Sequence, residues 1–203
     1  MIIVQIGTNR ANDDVTEIVN SYKDSLTKFI AVEPLQIHHN AIRECYKHIP
    51  SFILEGVAIT PTETDERLVL YYHPADAPGY EITSTSKEHI LKHNKPSNNH
   101  VFTKDDILEL IVDCLTINKL LEKYNIDEVD MLYIDVEGLD LELIKSIDFG
   151  VYIIHNIAYE HHHINKKDSI KFLESKGYSV NTGYGKGKSQ YIATKKGSRL
   201  IKL

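Results

Sequence analysis

The chain has 203 residues, of which 42% are hydrophobic and 26% charged, proportions typical of a globular protein with a full core. Its net charge of −6 disfavours a general nucleic-acid binder, because such proteins present a basic surface. The two cysteines lack metal-type spacing and are compatible with a reducing compartment, so we expect a cytoplasmic protein. The sequence shows neither a signal-peptide pattern nor a membrane-spanning apolar run, and we expect no membrane partner.

The first 60 residues alternate apolar runs with helical patterns, which predicts a parallel sheet with helical crossovers. Turn and proline signals mark the ends of the runs. The predicted elements are a strand at Ile2 to Ile6, a helix starting after Asp13 or Asp14, a strand at Phe29 to Val32, a helix from Ile37 to about Tyr46, and a strand at Ser51 to Ile59.

Residues 61–112 interrupt this alternation. Arg67 to Tyr72 is a predicted strand outside the rhythm, and residues 73–105 are rich in proline, serine, threonine, asparagine and histidine. A long polar segment in a compact domain is typically functional or mobile. We therefore predict a single domain over residues 1–203, with an irregular insertion, or lid, at about 61–112.

The alternation then returns and completes an α/β pattern. The predicted elements are a helix at Leu115 to Tyr124, a strand at Met131 to Ile134, a helix after Gly138, a strand at Tyr152 to Tyr159, a helix at Asp168 to Ser175, and antiparallel strands at Tyr178 to Thr182 and Gln190 to Thr194. The whole pattern predicts a mostly parallel central sheet that ends in a C-terminal antiparallel hairpin.

Polar residues stand at the carboxyl ends of four predicted strands. These residues are Gly7-Thr8-Asn9, Glu33, Asp135 with Glu137, and Glu160. Ligands of open α/β sheets bind outside the carboxyl ends of the strands, so these groups predict a site along one edge of the sheet. The alternative is that each acid only caps a helix or favours its N-terminus.

The chemistry of these strand ends suggests a cofactor with a ribose and no phosphates. A glycine turn after the first strand allows close approach to the backbone, and an acid after the second can accept both ribose hydroxyls. The G-x-G-x-x-G and GxxxxGK[ST] phosphate-binding patterns are missing from the sequence, which disfavours pyrophosphate binding. S-adenosylmethionine is the obvious candidate.

Several blocks of the sequence resemble those of FkbM-type methyltransferases, which use S-adenosylmethionine and mostly methylate oxygen. The blocks are VQIGTNRANDDV (4–15), FIAVEP (29–34), LTINKLLEKYNIDEVDMLYIDVEGLDLELIKSI (115–147), IAYEHH (157–162) and FLESKGYSV (172–180). The likeness covers most of the chain outside about 61–112, and it implies a Rossmann-like class I methyltransferase fold. Three positions depart from the family pattern: Gln5 replaces a frequent acid, Asn12 stands where a second glycine is common, and Tyr133 replaces a frequent lysine.

The resemblance implies a role for each strand end. The implied cofactor contacts are Gln5, Gly7, Thr8 and Asn9 to the methionine moiety, Glu33 to the ribose hydroxyls, Val57, Ala58 and Ile59 to the adenine, and Asp135 to the cofactor amino group or the substrate. For residues 57–59, an ordinary core strand is an equally good interpretation.

Methyl transfer to a hydroxyl also requires a base that accepts the proton. The candidates are Asp135, Glu137, Glu160 and His162, and strand alternation would put the last two on the same face. A divalent cation such as Mg²⁺, bound by carboxylates, could lower the pKa of the acceptor instead. The alternative interpretation of the three consecutive histidines, residues 161–163, is a solvated loop.

The leading hypothesis is thus an S-adenosylmethionine-dependent methyltransferase that methylates a hydroxyl of a small molecule or glycan. Two alternatives are a noncatalytic cofactor- or nucleotide-binding module of the same fold and a nucleic-acid methyltransferase. The acidic net charge argues against the second alternative. Acceptor specificity is expected in residues 61–112, and a homodimer is expected from the small size of the enzyme.

Overall fold

The computed structural model describes residues 1–64, 67–74, 83–92, 103–136, 138–185 and 190–201. The strands are β1 Ile2–Ile6, β2 Lys28–Val32, β3 Phe52–Glu55, β4 Ala58–Ile59, β5 Leu68–Tyr72, β6 Leu108–Val112, β7 Cys114–Leu115, β8 Glu128–Val129, β9 Met131–Ile134, β10 Ile153–Ile154, β11 Asn156–Glu160, β12 Tyr178–Tyr184 and β13 Gln190–Lys195. The helices are α1 Asp14–Tyr22, α2 Gln36–Tyr46, α3 Lys87–Lys92, α4 Ile117–Lys123, α5 Asp140–Ser146 and α6 Lys166–Ser175. In this described part of the chain, no helix has the length and apolar character needed to cross a bilayer.

Seven of the described strands form a mixed sheet in the order β12-β13-β11-β9-β1-β2-β3. Strand β1 lies in the middle and pairs in parallel with β2 and β9, while β3 and β11 extend the parallel part on either side. Strand β13 runs antiparallel to both β11 and β12. The predicted parallel centre and C-terminal hairpin are therefore present in this sheet, although the remaining strands form three small sheets that were not predicted.

The two faces of the sheet carry separate apolar cores, since successive side chains of a strand point to opposite faces. Ile3 of β1 belongs to the core shared with Val15 of α1 and Ile42 of α2. Val4 belongs to the core on the other face, together with residues of α4, α5 and α6 such as Leu143. The sheet is thus covered by helices on both sides, as expected for strands that are apolar throughout.

Helix starts follow capping chemistry that can be recognised in the sequence. The Asp13 carboxylate accepts hydrogen bonds from the N–H groups of Val15 and Thr16 at the start of α1, as predicted. Thr116 caps α4 and Asn165 caps α6 in the same way. Such side chains satisfy N–H groups that have no partner within the helix.

Two predicted strands are wrong in their continuity. The strand expected over 51–59 ends at Glu55, and after Gly56 the chain leaves the main sheet so that β4 pairs in parallel with β7. A side chain at position 56 would come within 2.9 Å of the His39 ring, so the glycine lets this ring pack on the bend. The strand expected over 152–159 is likewise divided into β10, which pairs with β8, and β11 in the main sheet.

The predicted insertion contains a small antiparallel sheet of β5 and β6. Ala58, Leu70 and Val112 form its apolar contact with β4. Of the residues expected to form a lid, 65–66, 75–82 and 93–102 lie outside the described residues. The described part is anchored beside the carboxyl edge of the main sheet, because β4 follows directly on β3.

Candidate functional site

A pocket of about 410 Å³ lies at the carboxyl ends of β1, β2 and β9. Its volume is in the range of sites that bind a single small molecule or cofactor. It is lined by Ile6, Gly7, Asn9, Asn12, Asp13, Val32, Glu33, Pro34, Leu35, Val57, Ala58, Ile59, Leu68, Leu70, Thr83, Ser84, Thr85, Asp135, Val136 and Leu139. The polar ends of three strands therefore meet in one cavity.

Gly7 allows β1 and β9 to approach each other at the floor of the pocket. Its φ is +81°, and a Cβ atom there would lie 1.9 Å from the Asp135 carbonyl oxygen. The N–H groups of Gly7 and Thr8 both donate to the Val32 carbonyl, at 3.1 and 3.2 Å. Thr8 is fully buried and does not line the pocket, so its position is a structural one beside β2.

Glu33 places a buried carboxylate in the pocket wall. Its Oε2 accepts from the Asn9 N–H at 2.7 Å, and its Oε1 accepts from the Leu35 N–H at 2.9 Å. Only 5% of the residue is exposed, and this burial raises its pKa to about 7 against the two hydrogen bonds. Each oxygen keeps lone-pair capacity for a further donor, so the group can accept hydroxyls from a ligand.

Asp13 is a pocket residue that the sequence did not single out as one. Its Oδ2 accepts from the Gln5 side-chain amide at 2.5 Å, while its Oδ1 caps α1. Burial raises the pKa of Asp13 above its ordinary value, and the hydrogen bond from Gln5 opposes this. Gln5 itself is fully buried and outside the lining. Since an acid at position 5 would repel Asp13, the amide is the partner that this pair requires.

The loop after β1 contains two non-glycine residues in the left-handed region, Asn9 with φ +48° and Ala11 with φ +57°. Asn12, where the sequence comparison placed a frequent glycine, has no positive φ. The backbone conformation that favours glycine falls instead on Ala11, one residue earlier. Ala11 is held there by its own N–H, which donates to the Thr8 carbonyl at 3.0 Å.

The opposite wall comes from residues 57–59 and from the insertion. Val57, Ala58 and Ile59 line the pocket from outside the main sheet, and Ala58 and Ile59 are at the same time buried in apolar clusters. Leu68 and Leu70 of β5 and the segment 83–85 continue this wall. A role of the insertion at the site was expected, but these particular residues were not singled out, although β5 is apolar along its whole length.

Asp135 enters the pocket directly after β9. It is half-buried, and its N–H donates to the Ile6 carbonyl at 3.0 Å, which aligns the ends of β9 and β1. Val136 and Leu139 line the pocket beside it. Glu137, another candidate base, lies outside the described residues.

Glu160 and His162 form a second group next to this pocket and do not line it. The Glu160 Oε1 and His162 Nδ1 atoms are 2.9 Å apart, so the predicted pair is in contact. The following residue, His163, packs on the loop at Gly138, where a Cβ would lie 3.3 Å from the His163 Cβ. Within the described ranges, no cluster of three or more His, Cys, Asp or Glu side chains is arranged to hold a metal ion.

Fold and site together define an α/β protein with a small-molecule pocket at the carboxyl edge of a mixed sheet. The chain belongs to the methyltransferase FkbM domain family, whose model matches residues 5–180. The resemblance found in the sequence blocks is thereby confirmed. No curated protein sequence matches the chain.

Solved structures are similar to the chain at low sequence identity. The crystal structure of methyltransferase FkbM from Methylobacillus flagellatus KT is similar over 95% of this chain, with a TM-score of 0.55 and 10% identity. The match covers 43% of that protein, so the present chain spans less than half of its length. A fibrillarin/Nop5p complex (8% identity, 95% and 70% of the two chains) and the Methanococcus jannaschii fibrillarin pre-rRNA processing protein (12% identity, 97% and 67%) each match with a TM-score of 0.46.

Proposed function

We propose that this protein is an S-adenosylmethionine-dependent methyltransferase that methylates a hydroxyl group of a small molecule or glycan. One observation carries the proposal: Gly7, Glu33 and Asp135, from three different strands, line a single pocket at the carboxyl edge of the sheet. Membership of the FkbM family supports methyl transfer as the chemistry.

The pocket has a chemically suitable wall for each part of the cofactor. Glu33 would accept the ribose hydroxyls with the lone pairs that its two backbone donors leave unused. The apolar side chains of Val57 and Ile59 would flank the adenine, and Leu68 extends this surface. The loop at Gly7 and the carboxylate of Asp135 would face the methionine end.

The cofactor would supply the methyl group on a positively charged sulfur, so the protein mainly orients the reactants and excludes water. Asp135 is the candidate base in the pocket wall, where it could take the proton of an acceptor hydroxyl. The Glu160–His162 pair is the second candidate: Glu160 would orient the imidazole, whose other nitrogen would accept the proton. Neither role requires a metal ion. Inhibition of turnover by a chelator would indicate that a divalent cation such as Mg²⁺ takes part.

Isothermal titration calorimetry with S-adenosylmethionine and S-adenosylhomocysteine tests the cofactor assignment. We expect binding to the native chain and at least tenfold weaker binding to Glu33→Ala, since each hydrogen bond to a charged group contributes about 1.5–3 kcal/mol. Glu44→Ala is the matched control, because Glu44 is exposed on α2 and pairs with Lys47 at the surface. No binding to the native chain at millimolar ligand would refute the proposal.

A screen of hydroxyl acceptors then separates an enzyme from a noncatalytic module. Transfer of a labelled methyl group to a small phenol, polyol or oligosaccharide supports the enzyme. Normal cofactor affinity without transfer to any member of a broad panel would support a binding module instead.

A further inference from the structure

The first turn of α5 contains a buried carboxyl group that the proposed reaction does not use. Asp140 is the first residue of α5, and none of its surface is exposed to solvent. Acids in a first helical turn are ordinarily at the surface, where they interact with the helix dipole. Complete burial of such an acid therefore requires another explanation.

The Asp140 carboxyl lies beside two segments near the pocket. Its Oδ2 accepts from the Gly138 N–H at 3.3 Å, and Gly138 has φ +106°. Glu160, at the end of β11, acts electrostatically on the same carboxyl, so this strand end lies close to it. Gly138 is followed along the chain by Leu139, a residue of the pocket wall, so the hydrogen bond to Asp140 holds the main chain next to that wall.

Two carboxylate oxygens without hydrogen-bond partners indicate the protonation state of Asp140. Asp140 Oδ1 and Glu160 Oε2 are both buried and have no hydrogen-bond acceptor or donor among the described residues. An ionised, buried carboxylate with an unsatisfied oxygen is strongly disfavoured, whereas a protonated one is neutral. Burial is the main cause that raises the pKa of Asp140 to about 7, and the charge of Glu160 adds to it.

The charged groups around Asp140 are consistent with a proton on it. Glu160 is the acid that acts on it across the packed strand end. Glu160 in turn contacts His162 through its other oxygen, and His163 packs beside Gly138. With a proton on Asp140, no second buried negative charge lies against Glu160.

We propose that Asp140 is a positioning residue for the cofactor pocket: a protonated carboxyl that holds the Gly138 main chain beside the end of β11 and thereby shapes the wall formed by Val136 and Leu139. The link to cofactor binding rests on the proposed function, whereas the protonation of Asp140 does not. When Asp140 loses its proton, it repels Glu160 and the Gly138 main chain loosens.

The protonation is tested first, without any ligand. In protein labelled with ¹³C at aspartate carboxyl groups, the resonance that disappears in Asp140→Asn should titrate with a midpoint near 7, as the buried environment indicates. A midpoint below about 5, close to the ordinary value for aspartate, would overturn the proposal.

Stability as a function of pH gives a second readout. Because the folded-state pKa is raised from about 4 to about 7, the native chain should lose stability relative to Asp140→Asn, which cannot ionise, as the pH rises from about 4 to about 7, and the loss should level off above that. We expect the difference in Tm between the two to grow by about 3 °C or more over this range. Asp168→Asn is the control, since Asp168 occupies the first turn of α6 but is exposed. Parallel curves for native protein and Asp140→Asn would contradict the proposal.

Cofactor affinity tests the positioning role. At pH 7, Asp140→Ala should bind S-adenosylhomocysteine at least about fivefold more weakly, whereas Asp140→Asn, which keeps a polar side chain of the same shape, should bind within about twofold of the native protein. At pH 8.5 Asp140→Asn should bind better than the native protein. Equal affinity of the Ala variant would remove the positioning role, and a titrating Asp140 in a chain that binds no cofactor would leave protonation intact while the proposed function fails.

Discussion

An aspartate stands at each end of strand β9, and the two aspartates occupy different environments. Asp130, before the strand, accepts the Ile2 N–H at 2.7 Å and so joins β9 to β1 at the amino edge of the sheet. Asp135, after the strand, is joined to β1 by its main-chain N–H instead, and it lines the pocket. The same residue type is a structural connector at one edge and a candidate site residue at the other.

Other polar groups at the two edges of the sheet also differ, since those at the amino edge are hydrated and those at the carboxyl edge are buried. At the amino edge His155 contacts Ser198 through Nδ1 at 2.7 Å and Glu128 through Nε2 at 2.5 Å. Glu128 is 62% exposed, so this network is hydrated. At the carboxyl edge Glu33 and Asp140 are buried, and their pKa values are raised to about 7. The candidate site at the carboxyl edge is thus distinguished by buried acids with raised pKa values rather than by polarity alone.

Gly7→Ala should have the largest effect, because it forces apart two strand ends that touch. Its Cβ would meet the Asp135 carbonyl at 1.9 Å, whereas Gly197 near the amino edge has φ +90° and nothing within 4 Å of an added Cβ. We expect Gly7→Ala to lower the free energy of unfolding by about 3–5 kcal/mol and Gly197→Ala by only about 1 kcal/mol. Chemical denaturation measures both. Equal losses of stability in the two variants would show that the positive φ, and not the contact with Asp135, determines the effect at Gly7.

Asp135→Asn and Asp130→Asn compare the two ends of β9 directly. On an acceptor that the native enzyme methylates, we expect Asp135→Asn to lose about a hundredfold in turnover with a near-native Tm, because a base is removed. Asp130→Asn should lower Tm slightly and leave turnover unchanged, since its carboxylate bonds only to the sheet edge. Normal turnover of Asp135→Asn would make Glu137, Glu160 or His162 the next candidate base.

The raised pKa of Glu33 predicts that cofactor affinity depends on pH. Ribose hydroxyls donate to the ionised carboxylate, so the affinity should rise with pH and level off above the folded-state pKa of about 7. The expected gain is about tenfold from pH 6 to pH 8. The titration should be done in the Asp140→Asn variant, because ionisation of Asp140 would weaken cofactor binding over the same pH range. Calorimetry in buffers of different ionisation enthalpy should detect release of a proton, and a flat profile equal to that of Glu33→Gln would contradict the ribose contact.

The smallest effect is expected from Glu128→Gln at the amino edge. Its exposed ion pair with His155 should contribute about 0–1 kcal/mol, as surface pairs generally do. Thermal denaturation should therefore show a small change in Tm, and calorimetry should show native affinity for the cofactor. A large loss of cofactor binding would mean that the two edges are coupled.

The positions of β1, β2 and β9 were predictable from the sequence, and the structure confirms them. Their runs of buried apolar residues are bounded by glycine, proline or acid, which leaves little freedom for the strand ends. Because the strands are parallel, these ends had to meet at one edge. That is why the meeting of Gly7, Glu33 and Asp135 in one pocket could be anticipated from sequence pattern alone.

The role of Asp140 could not be predicted, because an acid in a first helical turn has the same sequence signature whether it is exposed or buried. Its neighbour Glu160 is 20 residues away along the chain, and only the packing of β11 beside β9 brings them together. The pairing of Gln5 with Asp13 is similar, since it depends on the left-handed residues of the intervening loop. Burial of a polar group is a property of the assembled layers.

For this protein, the sequence by itself determined the α/β class and the succession of the main strands along the chain, since these follow from periodicity and local turn chemistry. The family was indicated by the resemblance of several sequence blocks to FkbM-type methyltransferases. Only the tertiary structure decided that Glu160 and His162 lie beside the pocket instead of lining it, and that the chain leaves the main sheet after Gly56 to form the opposite wall. These features depend on contacts between segments distant along the chain, and no local pattern encodes such contacts.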